Sequence, residues 1–369
     1  MSVTTENLDF LSKSRHNPSF FEVNDRLGDI IDYCVPANPY FPSAAMYQSL
    51  VKELPNLLKY YPDHGPASGS SLSQLTGINQ ANLIAANGST EIITFLINSQ
   101  MPGPMVCPIP TFGRWTDLPI DIGHTLATLQ LKSSQKFELS VDDLVAFTKR
   151  SNARSLVICN PNNPTGGLTP KKDILEAISR LQHLDLIVID ESFMPFADDP
   201  DLDSIEREAP DLPNVVVVKS LGKALGWHGV RLGYAVANRT LIEKFRPHVP
   251  YWNINGIASF ALNLILNNRQ EYIASLQKVV ADRLYLEAEL RTVPGLSVFP
   301  TQCNFAFFRI PAHMDGIALR NRLASADKLF VRECGNKIGS CPTFFRVAAR
   351  PKADTDILIK ALRKSLDLH

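Results

Sequence analysis

No surplus of charge marks this 369-residue sequence: Lys+Arg and Asp+Glu both number 37, so the formal net charge is zero. That balance argues against nucleic acid, an acidic partner or an anionic membrane as the main ligand. There is no apolar run of about 18 residues to span a bilayer. The six cysteines, Cys34, Cys107, Cys159, Cys303, Cys334 and Cys341, form no CxxC pair and accompany no His-rich metal spacing, so reduced thiols in a cytoplasmic protein are the simplest account. The segment 1–10 is polar and acidic rather than basic then apolar, which argues against a signal peptide. Internal repeats and low-complexity segments are also missing. What remains is ordinary globular composition, 45% hydrophobic and 20% charged, in a chain long enough for two domains with substantial cores.

The first forty residues read as an irregular arm containing His16-Asn17-Pro18 and Val35-Pro36-Ala37-Asn38-Pro39-Tyr40. Its aromatics and Asn-Pro turn point to a segment laid across a surface; a loose extension is the alternative. Ser43 is placed to cap a helix running towards Glu53 that Pro55 interrupts, and Tyr60-Tyr61-Pro62-Asp63 ends the next segment. From about Leu83 to Tyr234 apolar strands alternate with amphipathic helices, which predicts an α/β fold with a mainly parallel central sheet covered on both faces. Strands are expected over 105–109, 126–131, 155–159, 186–189, 215–218 and 232–236. Ser140 with Asp143 resembles a capping box, and Thr169-Pro170 opens a helix with Ile174, Leu175, Ile178 and Leu181 on one face. In such sheets ligands gather at the carboxyl ends of the strands. Beyond residue 250 the pattern becomes a long helix over 257–290, strands over 296–299, 305–310, 329–332 and 344–347, and helices near 316–323 and 354–366. The expected division is an arm over 1–40, a large domain over 41–250 and a smaller α+β domain over 251–369.

The chemistry concentrates in Ser220-Leu221-Gly222-Lys223-Ala224-Leu225-Gly226-Trp227-His228-Gly229-Val230-Arg231. Lys223 follows a buried β-rich run among glycines that let backbone approach a ligand. Burial without a partner lowers a lysine's pKa and makes its amine a nucleophile for an aldehyde, giving a Schiff base. Arg231, eight residues on, can hold an anion beside it. A lysine for a carbonyl, with arginine and serine for a phosphate, is what pyridoxal phosphate requires. Asn87-Gly88-Ser89-Thr90-Glu91 enters a helix whose N–H groups and dipole favour a phosphate, or is simply a capped helix start. Asn160-Pro161-Asn162-Asn163-Pro164-Thr165-Gly166-Gly167 closes a strand with a turn that is structural, or that lets Asn163 donate to a phenolate-like oxygen. Asp190 ends a nearly all-apolar strand, where a carboxylate needs a cation or several donors. A protonated pyridine nitrogen would serve, and backbone N–H groups are the alternative.

In this order the motifs resemble the fold-type I pyridoxal-phosphate enzymes of aminotransferase class I/II. The likeness runs over nearly the whole chain and is nearest the branch of histidinol-phosphate aminotransferases and threonine-phosphate decarboxylases. It implies that Lys223 bonds the cofactor and moves protons at the substrate's α-carbon, that Asp190 pairs with the pyridine nitrogen, and that Asn163 bonds the ring's 3-oxygen. Phe112 would stack on the ring, and Gly88, Ser89, Thr90, Ser220 and Arg231 would hold the phosphate. Tyr61 would reach the phosphate of a neighbouring subunit, making a homodimer with shared sites. Arg346 would clamp the α-carboxylate and Arg332 a second anion such as a side-chain phosphate, unless either is a surface ion pair. Asn38 and His228 complete the expected substrate contacts.

Four departures stand out. Gly222 replaces a serine or threonine, Phe193 replaces the tyrosine of the aminotransferases as decarboxylases do, Trp227-His228 replaces a smaller pair, and Tyr40-Phe41 is bulky. The reaction implied first is transamination of an amino acid, with Lys223 removing the α-proton while Arg346 holds the carboxylate. The alternatives are decarboxylation of a phosphorylated amino acid such as threonine phosphate, and elimination, replacement or cyclisation in specialised metabolism. A cofactor-binding regulator is opposed by the presence of Lys223 and by the lack of room for a helix-turn-helix module.

Overall fold

The computed structural model describes residues 5–12, 18–62 and 66–366; His16, Asn17 and Asp63 of the motifs above lie outside them. In the arm, Ile31–Asp32 forms strand β1. A seven-stranded sheet follows, built from β2 (Leu83–Ala86), β3 (Met105–Ile109), β4 (Leu126–Gln130), β5 (Ser155–Cys159), β6 (Leu186–Asp190), β7 (Val215–Ser220) and β8 (Gly233–Ala237), in the order β2-β8-β7-β6-β5-β3-β4. Only β8 runs against its neighbours β2 and β7; the other pairs are parallel. Val215 to Val218 and Leu186 to Ile189 are buried throughout, because helices on both faces leave a parallel strand no polar side. Those helices begin where the sequence signals them: Ser140 Oγ accepts from Asp143 N at 3.2 Å to start Val141–Arg150, and Pro170 precedes Lys171–Arg180.

A second, antiparallel sheet joins β9 (Ser297–Phe299), β10 (Phe305–Arg309), β12 (Arg332–Glu333) and β13 (Phe344–Ala348) in the order β12-β13-β10-β9, while β11 (Leu329–Phe330) pairs in parallel with β1. The strand expected over 329–332 is thus divided between two sheets, one half holding the arm and the other half Arg332. The helix expected over 257–290 is two helices, Gly256–Asn267 and Arg269–Arg291, broken at Asn268. Pro55 does not end the helix that begins after Ser43, which runs Ala44–Lys59. Only the bond to Val51 is lost there, on a face where Val51 is exposed to water.

The arm is also more ordered than its composition implies. Ser19 Oγ accepts from Glu22 N at 3.1 Å to start the helix Phe20–Leu27, and Gly28, at φ 78°, ends it. Its buried residues Val23 and Leu27 pack with Phe330 of β11 and with Ala324 of the helix Gly316–Ala326. Among the described residues no helix is long and apolar enough to cross a membrane.

Candidate active site

The carboxyl ends of β5, β6 and β7 open on a cleft lined by Asn163, Asp190, Phe193, Lys223, Phe112 and Ser89. Asp190, the last residue of β6, is 4% exposed. Its Oδ2 accepts from Trp115 Nε1 at 2.8 Å and its Oδ1 from Ser192 N at 3.0 Å. Both donors are neutral, so a buried carboxylate faces the cleft without a cation in hydrogen-bond contact among the described residues; the site suits a protonated ring nitrogen. Lys223 lies in the single helical turn Leu221–Ala224 that β7 feeds. It is half-buried, with its ammonium 4.8 Å from the centre of the Phe193 ring. Burial lowers its pKa to about 8, and the charges of Arg231 and Arg346 act in the same direction against the pull of Asp190.

At one end of the cleft the backbone is drawn in tightly. Gly88, at φ 76°, caps the helix Ser89–Phe95, and a Cβ on it would lie 2.6 Å from Arg231 Nη2. A Cβ on Gly233 would lie 2.6 Å from Ser89 N, and Gly233 is the register partner of Ser220. Arg231 Nη2 also donates to Thr90 Oγ1 at 3.4 Å. Gly88, Ser89, Thr90, Ser220 and Arg231 therefore meet at one place, with an exposed guanidinium beside a helix start, which suits a phosphate. In the turn after β5, Asn160 and Asn162 are consumed internally: Asn160 bonds Thr169 both ways, and Asn162 bonds Thr111, Thr165 and the Pro110 carbonyl. Asn163 instead faces the cleft, where its Oδ1 accepts from Arg346 Nη1 at 2.8 Å.

The second sheet supplies cations. Arg332 and Arg346 are register partners on β12 and β13. Arg346 Nη2 donates to Cys34 O at 2.7 Å, its guanidinium lies 5.2 Å from the Phe305 ring centre, and its buried Nε has no hydrogen-bond partner among the described residues. Burial lowers its pKa below the usual arginine value. Arg332, 7% exposed, donates from Nη2 to Asn336 Oδ1 at 2.6 Å. Lys337, which sequence reasoning passed over, joins them from the connection between β12 and β13. The only signal was its distance of five residues from Arg332. Burial and then the charge of Arg332 lower its pKa to about 8.

Two expected substrate contacts are structural instead. Asn38 Nδ2 donates to Ala224 O at 2.9 Å and Ser275 Oγ at 2.8 Å, and its Oδ1 accepts from Tyr40 N. Both amide hydrogens are spent, so this side chain anchors the arm to the lysine turn rather than meeting a substrate; Asn38 N also donates to Lys223 O at 3.0 Å. His228 Nε2 lies 3.3 Å from Pro36 O, and burial followed by the Lys223 charge pushes its pKa down to about 4, leaving a neutral ring against the arm. Gly226, at φ 75°, is required here, because a Cβ would overlap the carbonyl oxygens of Phe41 and Asn38. Tyr61 lies outside the cleft, 81% exposed and tilted against Trp252 at 4.9 Å.

Behind the cleft is a cluster that the sequence also left unmarked. Lys219 Nζ is 2.6 Å from Glu191 Oε2 and 3.0 Å from Glu206 Oε2, while Tyr234 OH donates to Glu206 Oε1 and Ile205 N to Glu191 Oε1. A larger cavity beside Gln80, Arg246, Tyr251 and Trp252 has one charged side chain on its wall, so volume does not identify the reactive site.

The sequence profile described as Aminotransferase class I and II matches residues 29–362. An L-serine phosphate decarboxylase of Campylobacter jejuni is 26% identical over 365 residues, covering 94% of this chain and 92% of that protein. Among solved structures, a decarboxylase from Sulfurospirillum multivorans superposes with a TM-score of 0.88 at 25% identity, over 98% of this chain and 96% of that one. A histidinol-phosphate aminotransferase from Sinorhizobium meliloti, in complex with pyridoxal-5'-phosphate, shares the fold with a TM-score of 0.80 at 19% identity, over 100% and 99% of the two chains.

Proposed function

The chain belongs to the class I and II aminotransferases and is a pyridoxal-phosphate-dependent enzyme, and from that premise we propose that it decarboxylates a phosphorylated α-amino acid. The observation that carries this reading is the register pairing of Arg332 with Arg346, which gives one amino acid two anion-binding positions. The near full-length likeness to an L-serine phosphate decarboxylase supports it.

Pyridoxal phosphate, when bound, supplies an aldehyde for an amine and a cationic ring that draws electrons from the α-carbon. Asp190 would keep the ring nitrogen protonated, Asn163 would bond the ring oxygen, and Phe112 would pack against the ring. Gly88, Ser89, Thr90, Ser220 and Arg231 would hold the phosphate. Arg346 binds the carboxylate and Arg332 the distal anion. When the bond from the α-carbon to the carboxylate breaks, its electron pair stays with the α-carbon, carbon dioxide leaves, and Lys223 Nζ delivers a proton in its place. An amine with a pKa of about 8 has both protonation states within reach near neutral pH.

Transamination is the second reading, favoured by the direct bond from Arg346 to Asn163. A carboxylate pinned there is kept from the orientation in which its own bond breaks, which leaves the α-proton to Lys223. The reading also keeps the three bodies 1–40, 41–250 and 251–369, a cytoplasmic location, and a homodimer in which exposed Tyr61 reaches the partner's phosphate pocket.

The test is to incubate holoenzyme with O-phospho-L-serine and O-phospho-L-threonine in deuterated water. Decarboxylation yields carbon dioxide and a phosphorylated amine carrying deuterium at the former α-carbon. A keto acid without carbon dioxide would establish transamination, and turnover of neither compound would overturn the phosphorylated substrate.

A further inference from the structure

Lys337 is placed with more care than a surface lysine needs. Its ammonium lies against the loop that carries Phe112: a Cβ on Gly113 would lie 2.6 Å from Lys337 Nζ and 2.9 Å from Asp117 Oδ2. Gly113 has φ −54° and ψ −26°, a conformation open to any residue, so its backbone does not call for glycine. The space does: without a side chain at 113, the ammonium can lie against the loop. Once there, among the described residues, it makes no hydrogen bond or ion pair of its own. Asp117 faces it at longer range while accepting from Thr116 Oγ1 at 3.2 Å. Arg332 and Arg346 face it from β12 and β13, and Glu333, the nearby carboxylate of β12, is turned to Gly335 N. A half-buried ammonium beside two arginines, with one carboxylate at a distance, is electrostatically disfavoured. It becomes favourable when an anion of more than one charge bridges it to Arg332.

We propose that Lys337 sets this chain's selectivity for a substrate with a distal dianion, sharing that group with Arg332 in the space that Gly113 leaves open. The inference rests on the reading that Lys223 and Arg346 receive an amino acid. It adds a residue outside every motif that led to that reading, and it gives Gly113 a reason.

The experiment measures the dissociation constants of O-phospho-L-serine and L-serine for the holoenzyme through the change in cofactor absorbance, and takes their ratio. Lys337→Met should shrink the preference for the phosphorylated compound about tenfold or more, the range expected for losing a charge-assisted hydrogen bond. Lys337→Arg should recover most of it. Gly113→Ala, which leaves Lys337 in the sequence but pushes its ammonium out, should shrink the preference in the same direction and guards against a folding defect in Lys337→Met. In turnover, the loss should fall on KM more than on kcat. An unaltered ratio in both Lys337→Met and Gly113→Ala overturns the inference while leaving the amino-acid site standing. A wild-type holoenzyme whose spectrum responds to neither compound overturns the amino-acid reading and this inference with it.

Discussion

Two groups of charge lie near the active-site residues, one buried and one partly exposed, and the fold treats them in opposite ways. Behind β6 and β7, Lys219 meets Glu191 and Glu206, whose remaining oxygens accept from Ile205 N and Tyr234 OH. Burial alone would lower the pKa of Lys219, but the two carboxylates outweigh it and raise it above the ordinary lysine value. Across the cleft, Arg332, Lys337 and Arg346 crowd together, and Lys337 and Arg346 are pushed the other way. Charges matched inside the protein serve the fold. Like charges held close together suit an anionic ligand, which is the basis of the function proposed above.

The comparison can be broken at several points. The largest effect belongs to the reactive lysine: Lys223→Ala should lower kcat by on the order of 10³ to 10⁴-fold, with the cofactor held only non-covalently and so removable by dialysis. Turnover near the wild-type rate would remove Lys223 from the chemistry. Next comes Lys219→Met, which strands Glu191 in the interior and should cost about 3–5 kcal/mol in urea unfolding. If stability held and KM rose instead, the matched cluster would be a ligand site after all. Arg346→Lys, on the surplus side, should lower kcat/KM roughly 10 to 100-fold, through the loss of a planar fork on a carboxylate. Its urea midpoint should move far less than that of Lys219→Met.

The smallest effect is a difference of sign with pH. Lys223 in the apoprotein has a pKa of about 8, below its unfolded value, so between pH 8 and 10.5 the unfolded chain binds more protons and this group makes the fold gain stability as pH rises. Lys219 is raised instead, so its contribution is complete below its unfolded value of 10.5 and is lost as pH climbs through the higher folded value. Reconstitution of apoprotein with pyridoxal phosphate, followed by absorbance, should quicken as pH passes through 8, because only the neutral amine attacks an aldehyde. A flat profile there would mean that Lys223 is not buried as described.

What the sequence made legible was what local chemistry dictates. All six strands expected over 105–236 lie within two residues of their predicted ends, and 105–109 and 155–159 match, because β-branched runs covered on both faces leave little freedom. Asp190, Lys223 and the Asn163 turn stood out because a charge or a dense turn at the end of an apolar strand has few uses. What stayed hidden depends on contacts distant in sequence. Nothing near Lys337 announces Gly113, more than two hundred residues earlier, and nothing near Lys219 announces Glu206. The carboxamide of Asn38 reads as available in the sequence, but the fold places Ser275 and Ala224 beside it. Phe20–Leu27 was missed because so short a helix carries little periodic signal and is stabilised mainly by docking on Phe330.

The arm's hold on the lysine turn makes the cofactor a gauge for the first forty residues. Asn38 grips the backbone of Lys223 and Ala224, so peeling the arm away frees the turn from which the reactive amine projects. Anything that detaches the arm, whether limited proteolysis near exposed Phe21 or a partner that captures it, would register as a colour change in the visible band. Attachment of a segment with no chemistry of its own can then be followed without a label.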